Sequence, residues 1–251
     1  MRTFTNLAWP DDPYRASQQL YRRPPPMLAA CAVLTLPAGA VAVPAAVAMA
    51  YLPLHRTGVT EVTEGTVSFG FRAAAAEDGD GDCLAELVAL ADLDMMQARR
   101  HAAILAGHAL AAGLRGLRQA APGLVTRGLA GVEAGWADRS ARRRGEAVLC
   151  DISADLGGAH DMTGLCRDAG IDGSPACLAG PDARRQPGSG EPAESLAAAA
   201  AERALVIALA CARGTGRYSW TGHLSTARIM TGTAWDLFPG MTWQATVVTR
   251  A

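Results

Sequence analysis

Residues 27–53 read MLAACAVLTLPAGAVAVPAAVAMAYLP, a run without a single charged side chain. At about 1.5 Å of rise per residue, a helix of that length crosses a hydrocarbon core of about 30 Å. Four arginines precede it (Arg2, Arg15, Arg22 and Arg23), whereas only Arg56 follows closely. Positive charge stays on the cytoplasmic side of a membrane helix, so the asymmetry orients the chain with its N-terminus inside. The reading predicts an α+β protein with one N-terminal transmembrane helix. An extracytoplasmic domain of long helices and a small antiparallel sheet follows. Ten of the 27 residues are alanine, and Pro37 and Pro44 interrupt the run. Prolines are tolerated in membrane helices where neighbours satisfy the freed carbonyls. Two other readings stay open: a cleaved leader, with Ala48-Met49-Ala50 as a small-x-small cleavage site, and a buried helix of a soluble chain.

Outward from that run, the spacing divides the chain into a cytoplasmic tail (1–26), the transmembrane segment (27–53), a strand and helical region (54–179), a linker (180–194), and a helix followed by β-strands (195–251). Val67, Phe69 and Phe71 alternate with polar or small residues, which predicts strand over 57–72. Residues 83–120 carry the clearest helical stripe, and Leu84, Leu87, Val88, Ala91, Met95 and Leu105 on it form a candidate partner-binding face. A second helix is expected over 125–150, ending near Arg139, Arg142, Arg143 and Arg144, where arginine complements the helix dipole. The glycine- and proline-rich stretch GPDARRQPGSGEPAE (180–194) reads as the linker, and SLAAAAAERALVIALACAR (195–213) as an alanine-rich helix too short and too charged to span a membrane comfortably. Trp243, Ala245, Val247 and Thr249 line one face of a last strand.

The residue types that are missing exclude several chemistries. The chain has 251 residues, half of them hydrophobic, a formal net charge of −1, and no lysine. A Walker-type NTPase, a protein kinase and a Schiff-base enzyme each need a lysine, so none of these is available. The near-zero charge gives no electrostatic footprint for nucleic acid. No G-x-S-x-G elbow is present. Asp78, Asp80 and Asp82 have the spacing of the first EF-hand ligands, but Cys83 and Ala89 stand where a glycine and a bidentate glutamate are required. No catalytic residue and no cofactor is indicated by motif.

Six cysteines are present, and Cys31 falls inside the apolar run. Cys166 and Cys177 flank a Gly/Asp/Pro-rich loop and are the first disulfide candidate, worth about 3 kcal/mol for a loop of that size. Cys83 with Cys150 is a second pairing, and buried free thiols are the alternative. Asp151, His160, Asp161 and Cys166 cluster in a loop-rich stretch and form a candidate metal site that mixes hard and soft ligands.

The closing stretch Phe238-Pro239-Gly240-Met241-Thr242-Trp243-Gln244-Ala245-Thr246-Val247-Val248-Thr249-Arg250 resembles the last strand of TadE/TadG-like pilus-assembly proteins. That resemblance implies a single-pass envelope protein of the bacterial inner membrane with an extracytoplasmic body. The expected function is a structural or assembly subunit of a pilus or secretion-type complex. Its partners would be other envelope subunits or further copies of itself, with membrane lipid around residues 27–53. The alternative is a secreted or periplasmic metal-binding protein or enzyme with its site near Asp151, His160, Asp161 and Cys166.

Overall fold

A computed structural model describes residues 1–7, 14, 26–38, 41–55, 57–77, 81–139, 144–156, 161–178, 193–234 and 237–238. The decisive run is β-structure. Strand β1 covers Arg2–Thr5, β2 Met27–Ala38, β3 Val41–Pro53, β4 Thr60–Glu61 and β5 Gly70–Ala75. Helix α1 (Gly81–His101), strand β6 (Ile104–Gly107), helices α2 (Leu110–Ala120) and α3 (Arg127–Ala137) and strand β7 (Val148–Asp151) follow. The chain continues through α4 (Ile152–Asp155), α5 (Met162–Ala169), β8 (Ile171–Asp172), α6 (Pro175–Leu178), α7 (Ala193–Gly214), β9 (Tyr218–Ser219), β10 (Leu224–Ser225) and α8 (Thr226–Ala234). One mixed sheet of six strands, in the order β1-β5-β3-β2-β6-β7, organises them. Its β1, β5, β3 and β2 pair antiparallel, whereas β2, β6 and β7 run parallel.

The expected transmembrane helix over 27–53 is therefore two central antiparallel strands, and the expected small antiparallel sheet is a six-stranded mixed one. The physical reason lies in the two-sided burial. Leu28, Ala30, Ala32 and Leu34 of β2 face one apolar layer, while Met27, Ala29 and Cys31 face the other. A strand covered on both faces needs apolar residues at every position, so its period of two cannot be seen in the sequence. The proline also fits a strand. β2 and β3 stay in register from Met27↔Pro53 to Leu34↔Ala46, and the register then shifts so that Thr35 pairs with Pro44. Pro44, which has no N–H to donate, stands at this bulge, where a ladder bond is already missing.

Helix α7 covers one face of the sheet. Its residues from Leu196 to Ala212 are buried on every side except at Arg203. It is the one described helix long and apolar enough to cross a membrane, but it is the central helix of this fold. A helix that is apolar all round belongs in a core when other elements surround it. Helices α1, α2 and α3 cover the opposite face. Leu87, Val88, Ala91 and Met95 of α1 are buried against Met49, Tyr51 and Ala74 of the sheet, and Leu84 packs beside them. The stripe expected to bind a partner thus faces the chain's own sheet. Leu105, the last residue of that stripe, lies in β6, because the helix expected over 83–120 is broken into α1 and α2 by this strand. The second expected helix ends at Ala137, and its last residues form β7. Residues 66–69 of the expected strand precede β5 without joining the sheet.

The sole asparagine ties the N-terminal edge together. Asn6 Nδ2 donates to the Phe69 carbonyl (3.0 Å), and its Oδ1 accepts from Phe71 N–H (2.7 Å). The residues of the pilus-protein resemblance lie outside the described ones except for Phe238, whose ring packs on Phe4 and Phe71. The last expected strand and most of the expected linker also fall outside.

Candidate functional site

Strand lengths create the main cleft. β6 has 4 residues and pairs only with Leu28–Ala30 of β2, which runs on to Ala38. Past Gly107 the edge of β2 therefore has no neighbour from β6. The chain leaves β6 towards α2 on the α1–α3 face, but leaves β7 towards α4 on the α7 face. Diverging connections at the carboxyl ends of parallel strands open a crevice between them, which is the usual ligand position in open α/β sheets.

This crevice measures about 790 Å³. Its floor is Cys31–Thr35 of β2, and His108, Ala109, Leu110 and Arg115 form one wall. Asp161, Met162 and Thr163 at the start of α5 form the other, with Arg203 and Ile207 of α7 beneath. The volume is in the range of about 300–1,000 Å³ common to small-molecule sites.

Ala109 heads α2 in the left-handed region (φ 50°, ψ 35°), a conformation that alanine rarely adopts. Asp151 holds it there by accepting its backbone N–H. The same carboxylate accepts from Trp136 Nε1 (2.9 Å), Ser153 Oγ (2.7 Å) and Ser153 N (3.1 Å). Burial works against ionisation of Asp151, but these hydrogen bonds outweigh it and hold the carboxyl below its ordinary value. Asp151 is thus a positioning residue that shapes the mouth of the cleft. Ala109 has no side-chain oxygen with which to cap α2, and the carboxylate at that end is Asp151, on the Ala109 N–H.

Arg203 has a different status. It is half-buried in the cleft, and among the described residues it makes no hydrogen bond or ion pair. Burial pushes its guanidinium down from its usual range. Its neighbour Glu202 points the other way and is fully buried. Glu202 Oε1 accepts from Ser174 N (2.8 Å) and lies 2.6 Å from Thr226 Oγ1, and Oε2 meets Ser174 Oγ. Thr226 Oγ1 also donates to the Asp172 carbonyl (3.0 Å). A hydroxyl has one proton, so a protonated Glu202 that donates to Thr226 completes the chain of bonds. Burial raises its carboxyl in the same direction.

Of the residues expected to hold a metal, Asp161 lines the cleft and caps α5 by accepting from Gly164 N (2.6 Å). Asp151 is committed to Trp136 and Ser153, and Cys166 is buried inside α5. His160 lies outside the described residues. No group of three or more His, Cys, Asp or Glu side chains that can hold a metal occurs among the described residues. The expected Cys166–Cys177 disulfide is not formed. Neither is in a disulfide, both are buried beside the Ser174 loop, and burial, with Glu202 nearby, pushes Cys166 up to about 12. Cys83 lies on α1 against the Met1 amine, away from its expected partner Cys150.

Sequence reasoning missed Arg203, Glu202, Arg72 and Asp94. Arg72 on β5 and Asp94 on α1 form an ion pair (2.6 Å), with both side chains about 5% exposed or less. The one available signal was the pair Glu202-Arg203 inside an otherwise apolar helix. Charged residues in a buried helix need partners or a ligand. The chain matches no protein-family model, and no curated protein or solved structure is significantly similar to it.

Proposed function

We propose that this protein binds a small anionic ligand, bearing a carboxylate or phosphate group, in the cleft beyond β6. Arg203 carries the reading. A half-buried guanidinium with no counter-ion among the described residues is costly, and a bound oxyanion supplies charge-assisted hydrogen bonds. The start of α2, where Ala109 offers no capping side chain, borders the same cleft and supports the reading, since a helix N-terminus favours an anion. Arg115, which also pairs with Glu133 (3.8 Å), stands on the same side of the cleft, opposite Asp161. The envelope-assembly expectation drew on a membrane helix at 27–53, and with those residues in central strands the cleft is the stronger basis for a function.

Thermal unfolding in the presence of inorganic phosphate, pyrophosphate or malonate tests the proposal. A ligand that binds only the folded state raises Tm in a saturable way. We expect at least one of these anions to do so, and Arg203→Gln to abolish the rise. Arg167→Gln, on the exposed side of α5, retains it. A flat Tm with all three anions, or an equal rise in a folded Arg203→Gln protein, overturns the reading.

A further inference from the structure

A second cavity, of about 400 Å³, opens on the other side of β7. Ile104, Leu149, Cys150 and Leu156 line it, with the Arg139–Asp155 ion pair at its rim. Arg139 and Asp155 are exposed, so the cavity communicates with solvent. Cys150 is the only thiol on its wall. Behind it lies Cys211, in the last turn of α7 and closed off from water. The two belong to the same apolar layer, and the end of α7 reaches the cavity: Thr215, which lines it with Cys150, donates to the Cys211 carbonyl (2.7 Å), and the two thiols interact with each other.

We infer that Cys150 and Cys211 form an oxidation site: a hydroperoxide entering this cavity oxidises Cys150, and Cys211 resolves it to a disulfide. The roles follow from position. Cys150 faces the cavity, so a small oxidant reaches its sulfur first. Cys211 sits at the negative end of the α7 dipole, which disfavours a thiolate there and keeps the proton on its sulfur. The interaction with Cys211 favours the Cys150 thiolate, and Arg139 adds to it, against burial and the carboxylates of Asp155 and Asp151; the thiolate is the nucleophile.

The chemistry balances in two steps. The Cys150 thiolate attacks the terminal hydroperoxide oxygen, an S–O bond forms, and the O–O bond breaks. The departing alkoxide or hydroxide takes up a proton, which leaves Cys150 as a sulfenic acid. Cys211 Sγ then attacks Cys150 Sγ, the S–S bond forms, and the S–O bond breaks. The leaving hydroxide combines with the Cys211 proton as water. Two thiols are oxidised by two electrons, and one hydroperoxide is reduced to an alcohol (or water) and water. The new bond ties edge strand β7 to the central helix, one residue before Asp151, which holds Ala109 at the mouth of the main cleft.

Stoichiometric hydrogen peroxide, followed by peptide mapping without reductant, tests the inference on the unaltered chain. The expected product is a Cys150–Cys211 linked peptide, lighter by two hydrogens and reversed by dithiothreitol. Unfolding the chain in urea before oxidation should erase the preference for this pair. In Cys211→Ser the reaction should stop at the sulfenic acid of Cys150, trapped by dimedone. Oxidation that appears first at Cys83, Cys166 or Cys177, or oxidation of Cys150 without linkage to Cys211, overturns it. This outcome is independent of anion binding in the main cleft.

Discussion

The two faces of the sheet are built on opposite principles. Towards α7, Ala46, Ala48 and Ala50 of β3 and Ala73 and Ala75 of β5 meet the alanines of α7. Towards α1, the same strands present Met49, Tyr51 and Arg72, and α1 answers with Leu87, Met95 and Asp94. Small side chains leave no room between helix and sheet. Large ones fill a wider layer, and that layer accommodates a buried ion pair. Polar groups follow the same division. On the α7 side the buried carboxyl of Glu202 sits among neutral hydrogen-bond partners, whereas Asp94, buried between the sheet and α1, has a guanidinium.

The largest expected effect comes from breaking the ion pair. Arg72→Ala leaves Asp94 buried without its partner and should destabilise by about 3–5 kcal/mol in urea unfolding. Asp94 is already hard to ionise: burial, working against the attraction of Arg72, pushes it up to about 6. The double variant Arg72→Met/Asp94→Leu should recover most of that loss, since a well-packed apolar pair avoids the desolvation cost. If the single variant is as stable as the unaltered chain, the α1 layer does not depend on its charge pair.

A smaller effect separates the faces on adjacent residues of one strand. Ala48→Leu pushes new volume against α7 and should cost about 1–3 kcal/mol, whereas Met49→Leu, on the wider side, should cost less than about 1.5 kcal/mol. Equal losses, measured by the same unfolding curves, would remove the contrast in packing.

The smallest effect concerns Glu202. Its raised carboxyl binds a proton in the folded state where the unfolded chain has already released one. Stability from this group is therefore present at acid pH and falls as pH rises through and above the ordinary carboxylate range. Glu202→Gln keeps the hydrogen-bonding shape without the charge. It should change stability little at acid pH and flatten that part of the pH profile. An unchanged profile would show that Glu202 does not titrate there.

Local patterns were legible where one element carries its own signal. The bounds of α7 agree closely with the alanine-rich stretch from Ser195 to Arg213, and the stripe from Leu84 to Met95 marked a real buried helix face. The stripe could not show whether it meets a partner or the chain's own sheet, because both demand the same apolar spacing. The break at β6 was hidden for a related reason: Ile104–Gly107 is short, and Leu105 continues the helical spacing by chance. Of the candidate ligands among the described residues, only Asp161 reaches the main cleft. Cys150 was matched with Cys83, yet its neighbour is Cys211, 61 positions along the chain, on the helix that crosses behind β7.

By itself the sequence determined the apolar content, the helical periods of α1 and α7, and the exclusion of lysine-dependent chemistry, because each depends only on residue type and near-neighbour spacing. Tertiary structure alone decided that Met27–Ala38 and Val41–Pro53 are strands, since a two-sided buried strand and a membrane helix require the same uninterrupted apolar composition. It also decided the sites. Among the described residues Arg203 has no counter-ion, and Cys150 and the end of α7 border one cavity, only because of how the ends of β6 and β7 meet α7. No local pattern encodes such meetings between distant segments.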